Sequence, residues 1–213
     1  MATFKNGPNG AFSGKVGSVV GSSWKGIDYI RGLPKKRTSP PTEDEAANRT
    51  KFGFTQKWLN HFAPFISIGY MNYSKTMTAN NSAMSWNSKN AVKGDAPDFE
   101  INYSSVLLSD GPLQEATDPS ISITSESEVL INWSTVYRRK AKATDELLFI
   151  AFCPNMGHSF FSLGDAIRSE DKYQLEIPEV FRGQQAEVFM AFCSRDRKIA
   201  SRSQYLGNII LTP

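Results

Sequence analysis

The stretch Glu146-Leu-Leu-Phe-Ile-Ala-Phe-Cys153 and its counterpart Ala186-Glu-Val-Phe-Met-Ala-Phe-Cys193 decide the reading of this chain. Each is a short, mostly apolar run that closes on an Ala-Phe-Cys triplet, the pattern of a β-strand. Further β-rich runs surround them at 99–108, 120–124, 129–134, 159–163, 173–177 and 203–211, separated by clusters of turn-forming residues. Many short strands at such spacing predict an antiparallel β-sandwich over residues 99–213.

From Ile121 onward the order of runs is similar to a fibronectin type III domain, an immunoglobulin-like sandwich. Val129-Leu-Ile-Asn-Trp133 resembles its second strand, with the core tryptophan near the strand end. Residues 146–153 and 186–193 resemble the long central strands of its second sheet, and Gln184-Gln185 stand where that fold carries its corner aromatic. The resemblance implies that these two strands are antiparallel neighbours. Cys153 and Cys193 would then sit at opposite ends of the pair, beyond the ~7 Å Cα separation that a disulfide tolerates. They are expected to be buried free thiols.

Upstream, residues 42–98 read as a helical segment. Thr42 followed by Glu45 is a capping box, and a helix is predicted from about residue 43 to about residue 60. Ala47, Lys51, Phe54 and Trp58 share one of its faces, and His61 falls at its end. Residues 65–73 fit either a short strand or continued helix. A second helix is predicted over 78–92, with Ala79, Ala83, Trp86 and Asn90 at helical spacing and Lys93-Gly94 as a stop signal. Asp95-Ala-Pro97 sets a boundary, and the prolines of residues 33–41 make a linker.

Residues 1–41 therefore form an arm. Glycines at 7, 10, 14, 17 and 21 would cost a helix ~1 kcal/mol each against Ala, so the segment is read as extended. Val16, Val20 and Trp24 fall on one parity and Val19, Ile27 and Tyr29 on the other. Two strands, 15–20 and 24–31, are expected to be joined at Gly21-Ser22-Ser23. A glycine-rich, two-sided strand has weakly specified register and exchanges readily between chains. The residues expected to carry assembly are Gly14, Val16, Gly17, Val19, Val20, Gly21, Trp24, Ile27, Tyr29 and Ile30. The same ribbon can instead cover an edge of its own molecule.

Gly14-Lys-Val-Gly-Ser-Val-Val-Gly-Ser-Ser-Trp-Lys-Gly-Ile-Asp-Tyr-Ile-Arg31, followed by Leu33-Pro-Lys-Lys-Arg37, resembles the N-terminal signature of a domain-of-unknown-function family common in Bacteroidetes. The later stretches Ala83-Met-Ser-Trp-Asn-Ser-Lys-Asn-Ala-Val-Lys-Gly94 and Ser203-Gln-Tyr-Leu-Gly-Asn-Ile-Ile-Leu211 are similar to the same family. The resemblance implies no activity.

Charge is unevenly spread. Residues 1–41 carry seven Lys and Arg against one Asp, a net of +6, whereas residues 99–213 carry eleven against fifteen acids, a net of −4. Such an arm and body attract one another, within or between chains. Arg31, Lys35, Lys36 and Arg37 form a basic cluster, but without interleaved aromatics it supports only salt-sensitive phosphate contact, so nucleic acid is not the expected partner. Ser13-Gly14-Lys15 fails as a phosphate loop because Asn9 and Val16 occupy required positions.

No secretory leader and no membrane span is read at the start of the chain. The expectation is a cytoplasmic protein, or one exported by a route without an ordinary signal. The two histidines, His61 and His158, fall in different segments, and no metal-ligand or cofactor pattern appears. Cys153 lies five residues before His158, and a turn residue beside a strand-end thiol explains the spacing better than a catalytic pair.

The reading is therefore α+β and non-catalytic: an N-terminal β-hairpin arm, a small helical segment, and a C-terminal antiparallel β-sandwich. No cofactor is expected. The expected function is a structural subunit that assembles with itself, as a filament or other homopolymer, by adding its arm to a neighbour's sheet. The alternative is a binding module for glycan, protein or nucleic acid, acting through loops such as Tyr137-Arg-Arg-Lys-Ala-Lys142.

Overall fold

The computed structural model describes residues 2–3, 10–125, 128–138 and 140–211. The chain divides into two compact units, Met1–Glu43 and Asp44–Pro213.

The first unit is one antiparallel sheet. Its strands are β1 (Ala2–Thr3), β2 (Gly14–Val16), β3 (Val19–Trp24) and β4 (Ile27–Gly32), in the order β1-β4-β3-β2. The expected hairpin is present, but its turns are not where the residue parity put them. Gly21-Ser22-Ser23 lie inside β3, and the turns fall at Gly17-Ser18 and Lys25-Gly26. Gly17 has φ 58°, and Lys25 and Gly26 have φ 48° and 78°. Two-residue hairpin turns require such positive φ, which glycine supplies without steric cost. Gly21 has no such role, so the strand runs through it.

The second unit opens with α1 (Glu43–Leu59), a 3-10 turn at Asn60–Phe62, α2 (Ala63–Gly69) and α3 (Ala79–Asn90). Residues 65–73, open to two readings in the sequence, are thus largely helical. Thr78 caps α3, its hydroxyl accepting from Asn81 N at 3.2 Å. A two-stranded ribbon follows, β5 (Val92–Lys93) with β6 (Glu100–Ile101). The remaining strands are β7 (Thr117–Ser125), β8 (Glu128–Ser134), β9 (Glu146–Cys153), β10 (His158–Ile167), β11 (Lys172–Glu176), β12 (Gln185–Cys193) and β13 (Gln204–Ile210). They form a four-stranded sheet, β10-β9-β12-β13, and a three-stranded sheet, β11-β8-β7, both antiparallel. This is the strand arrangement of the expected fibronectin III-like sandwich.

β9 and β12 are buried on both faces. Leu147, Phe149 and Ala151 of β9, with Val188, Met190 and Phe192 of β12, pack against Val129, Ile131 and Trp133 of the three-stranded sheet. Leu148, Ile150 and Phe152, with Phe189 and Ala191, pack on the other side against Trp58, Leu59, Phe62, Phe65 and Ile66 of the helices. The unit is therefore three layers deep: sheet, sheet, helices. Burial on both faces is why these strands read as unbroken apolar runs and not as alternation. Each fully buried Phe or Leu contributes about 1.5–3 kcal/mol relative to exposure.

The run at 99–108 is strand only at Glu100–Ile101; Tyr103–Ser105 is a 3-10 turn. Beyond it, side chains stand in for a partner strand, because buried backbone groups must be paired. Asn87 donates Nδ2 to Leu107 O at 2.7 Å, and its Oδ1 accepts from Leu107 N at 2.9 Å. Leu108 N donates to Ser203 Oγ at 2.9 Å. Gln204 accepts from Ala116 N at 2.8 Å and donates to Ala116 O at 3.0 Å. Arg168 donates Nη2 to Gln114 O at 2.7 Å and Nε to Asp145 Oδ2 at 3.1 Å. Its guanidinium lies 3.9 Å from the centre of the Phe192 ring.

Two substitutions test this scaffold by urea unfolding. Arg168 and Asp145 are each 1% exposed, so Arg168→Ala strands a buried carboxylate and is expected to cost about 3–5 kcal/mol. Asn87→Ala leaves the buried Leu107 N–H without a partner, while Leu107 O keeps the bond from Tyr70 Oη at 3.4 Å, and should cost about 1–3 kcal/mol. A loss below 1 kcal/mol in either variant would contradict the side-chain pairing described.

Candidate assembly interface

The arm residues singled out in the sequence fall on both faces of the first sheet. Cross-strand register places Lys15, Val20 and Arg31 in one row, Ser22 with Tyr29 in the next, and Trp24 with Ile27 at the hairpin end. The opposite face carries Gly14, Gly21 and Ile30, then Val16, Val19 and Gly32. Gly17 sits in a turn. Among the described residues of this unit Gly21 alone is buried. Val16 is 59% exposed, and Trp24 and Ile27 are 47% exposed each. The reason for glycine at 21 is Phe12: a Cβ there would meet the Phe12 carbonyl and its ring at 2.6–2.7 Å. The ring needs a bare backbone to lie against, and no local pattern around Gly21 points to this partner.

The basic cluster is split by the fold. Arg31 belongs to β4 and shares its row with Lys15, whereas Lys35, Lys36 and Arg37 stand exposed on the linker. Arg37 turns back on its own segment, donating Nε to Ser39 O and Nη2 to Pro40 O, both at 3.0 Å.

In the second unit, Arg138 of the 137–142 loop borders a cavity of about 320 Å³ with Gln114, Glu115, Ala116 and Thr117. Arg138 N donates to Gln114 Oε1. Arg139 lies outside the described residues, as do Gly7 and Asn9 of the arm.

The histidines that the sequence set in separate segments come close together. Ser159 Oγ donates to His61 O at 2.7 Å, and the His61 ring packs 5.2 Å from Phe152. Burial, then the neighbouring His158 and Lys57, hold His61 below the ordinary histidine pKa. His158 is directly across the strand from Cys153. That thiol is not an activated nucleophile, because burial pushes it up to about 11. Cys193 is pushed up to about 12, by burial first and then by Glu146. Both cysteines are free and buried, and Cys193 pairs across the strands with Glu146, at the other end of β9 from Cys153. This is the arrangement expected of them.

Among the described residues no three His, Cys, Asp or Glu side chains gather in a metal-binding group, and no helix is long and apolar enough to cross a membrane. Sequence reading missed the buried polar group on β12: Glu187 accepts from Tyr205 Oη at 2.5 Å and Asn208 Nδ2 at 2.7 Å.

The chain belongs to a family of unknown function, DUF6266, whose model matches residues 11–207. No curated protein matches it. Among solved structures it is similar to the chicken CNTN1 FN1-FN3 domains, at 16% identity and a TM-score of 0.36, over 49% of this chain and 34% of that one. It thus spans about a third of that structure's length. It is also similar to the fn3 domain of human contactin 1, at 13% identity and a TM-score of 0.34, over 48% of this chain and 81% of that one.

The buried thiols make a pH prediction. A folded pKa above the unfolded value of 9.0 means that the neutral thiol's stabilisation is complete below pH 9 and is lost as pH rises through the folded values of about 11 and 12. The urea midpoint should therefore fall between pH 9 and 11. At pH 8 iodoacetamide should label both cysteines only after unfolding. Rapid labelling of the native protein would show that the thiols are not buried.

Proposed function

We propose that this member of a family of unknown function is a structural subunit that assembles with copies of itself through its N-terminal sheet. One observation carries the reading: a four-stranded sheet in which only Gly21, among the described residues, is buried. A small sheet gains its stability from an apolar face packed against something. This one presents Val16 and Ile27 outward and has β2 as a short edge strand. A neighbouring sheet edge supplies both what the apolar residues need and what the edge needs, by strand addition.

Further support is electrostatic and geometric. The arm's charge of +6 opposes the −4 of residues 99–213. The linker at 33–41 spans at most roughly 30 Å, enough to reach an adjacent copy. Repeated head-to-tail contact yields a filament unless the rotation closes it into a ring. The role is non-catalytic, needs no cofactor, and makes the chain's main partner another copy of itself.

A second reading is favoured by the cavity beside Arg138. It would make the sandwich a binding module for a glycan or peptide, with Gln114, Glu115 and Thr117 as contacts. Nucleic-acid binding is the weaker form of that alternative, since Arg37 already satisfies linker carbonyls.

Deleting residues 1–33 separates the readings. Both hydrophobic clusters lie between Trp58 and Leu211, so the truncated chain should remain folded by circular dichroism. The full chain is expected to show a mass well above 23.7 kDa by light scattering, and the truncated one that of a monomer. Equal association in both, or a full chain that is monomeric at micromolar concentration, would defeat the assembly reading.

A further inference from the structure

The sandwich has four outer strands, and three of them are protected against pairing with another chain. β7 carries Pro119 beside Asp118, which has φ 49°, and its register breaks between Thr117 and Ser120. Proline, bulges and charge are the usual means of blunting an edge. β11 is five residues long, opening on Lys172 and closing on Glu176. β13 begins under the two hydrogen bonds between Gln204 and Ala116, and its register breaks opposite Val188–Phe189.

β10 has none of these over its first half. Its pairing with β9 is unbroken from His158 to Leu163, and residues 158–164 contain no proline and no Lys, Arg, Asp or Glu. The first irregularity comes after Leu163. Phe161 on this edge is 46% exposed. Uncharged, regular edges with an exposed aromatic are templates for strand addition.

Resting on the assembly reading above, we propose that the β10 edge at residues 158–163 is the acceptor for strand β2 of a second copy. The occupant follows from what β2 presents. It is the outer strand of its own sheet, it carries Val16 at 59% exposure, and its one charge is Lys15. Pairing sets Val16 against Phe161, an apolar cross-strand pair of the kind that fixes register. It brings Lys15 toward the acidic residues that follow on the acceptor, Asp165 and Glu170. The arm's surplus of positive charge suits a body with a surplus of negative charge and not a second arm.

The test uses full-length chains. Val16→Cys and Phe161→Cys are purified separately, mixed, and oxidised mildly; Cys153 and Cys193 are buried and stay silent. The expected result is a disulfide-linked dimer that forms in the mixture in at least tenfold excess over either variant alone. Phe161→Lys, at an exposed position, should abolish the high-mass species in light scattering while leaving the circular dichroism spectrum unchanged. If the wild-type chain assembles but no cross-link forms and Phe161→Lys assembles normally, the acceptor is wrong while the arm reading stands. A wild-type chain that never assembles removes both. A Val16→Cys/Phe161→Cys double variant that closes within one chain shows an intramolecular edge and overturns the second-copy occupant.

Discussion

The pairing of β9 with β12 is the interaction on which the second unit depends. Seven residue pairs from Glu187–Phe152 to Cys193–Glu146 run without a slip. Their side chains alternate between two hydrophobic clusters, one under the three-stranded sheet and one under the helices. A shift of one residue would exchange every side chain between the two clusters. Register and packing therefore specify one another. Both clusters would register the error, because cores at crystal-like density tolerate little change of shape. The buried charged residue on this pair, Glu187, is held by Tyr205 and Asn208 of β13. It satisfies the rule that a buried carboxylate must be hydrogen-bonded, and it ties β13 to β12 beside the bulge.

The segment between the helices and the sandwich is governed by a different constraint. Residues 106–116 contain no regular strand, yet Val106, Leu107, Leu108 and Leu113 are buried. Leu107 and Leu108 pair with the side chains of Asn87 and Ser203, and Ala116 with that of Gln204, whereas Val106 N and Leu113 N donate to the backbone at Tyr103 and Ala200. Asn87 comes from α3, and Ser203 and Gln204 from the point where the last strand begins. The amides of Asn87 and Gln204 each offer a donor and an acceptor to a single residue, as a paired strand does.

What was legible in the sequence was whatever local pattern controls. The strands of 146–153 and 186–193 and the helix from about residue 43 follow from run length, periodicity and caps, while the cysteine placement follows from the resemblance to a fibronectin type III domain. Less legible was anything set by contacts far apart in sequence. The unbroken apolar runs held the clue that β9 and β12 are covered on both sides, but nothing local says that Phe62 and Phe65 supply the second cover. The strand read at 99–108 failed because Asn87 occupies the place of a partner strand. The turn read at Gly21 failed because that glycine answers a tertiary need, room for Phe12, while Gly17 and Gly26 answer the local one. The faces of the arm were not legible: a correct row such as Lys15, Val20 and Arg31 depends on where the turns fall.

The two units embody opposite balances of the same forces. From Asp44 on, burial on two sides fixes the chain, and polar groups inside are paired one by one. Before it, only Gly21 is buried among the described residues of the sheet, with Val19, Val20, Tyr29 and Ile30 half-buried. Backbone pairing alone contributes little net free energy, since each bond replaces one made to water, while ordering each residue costs about 1–2 kcal/mol. A sheet built mainly of hydrogen bonds thus lies near balance, and small additions of apolar burial or edge pairing decide its fate.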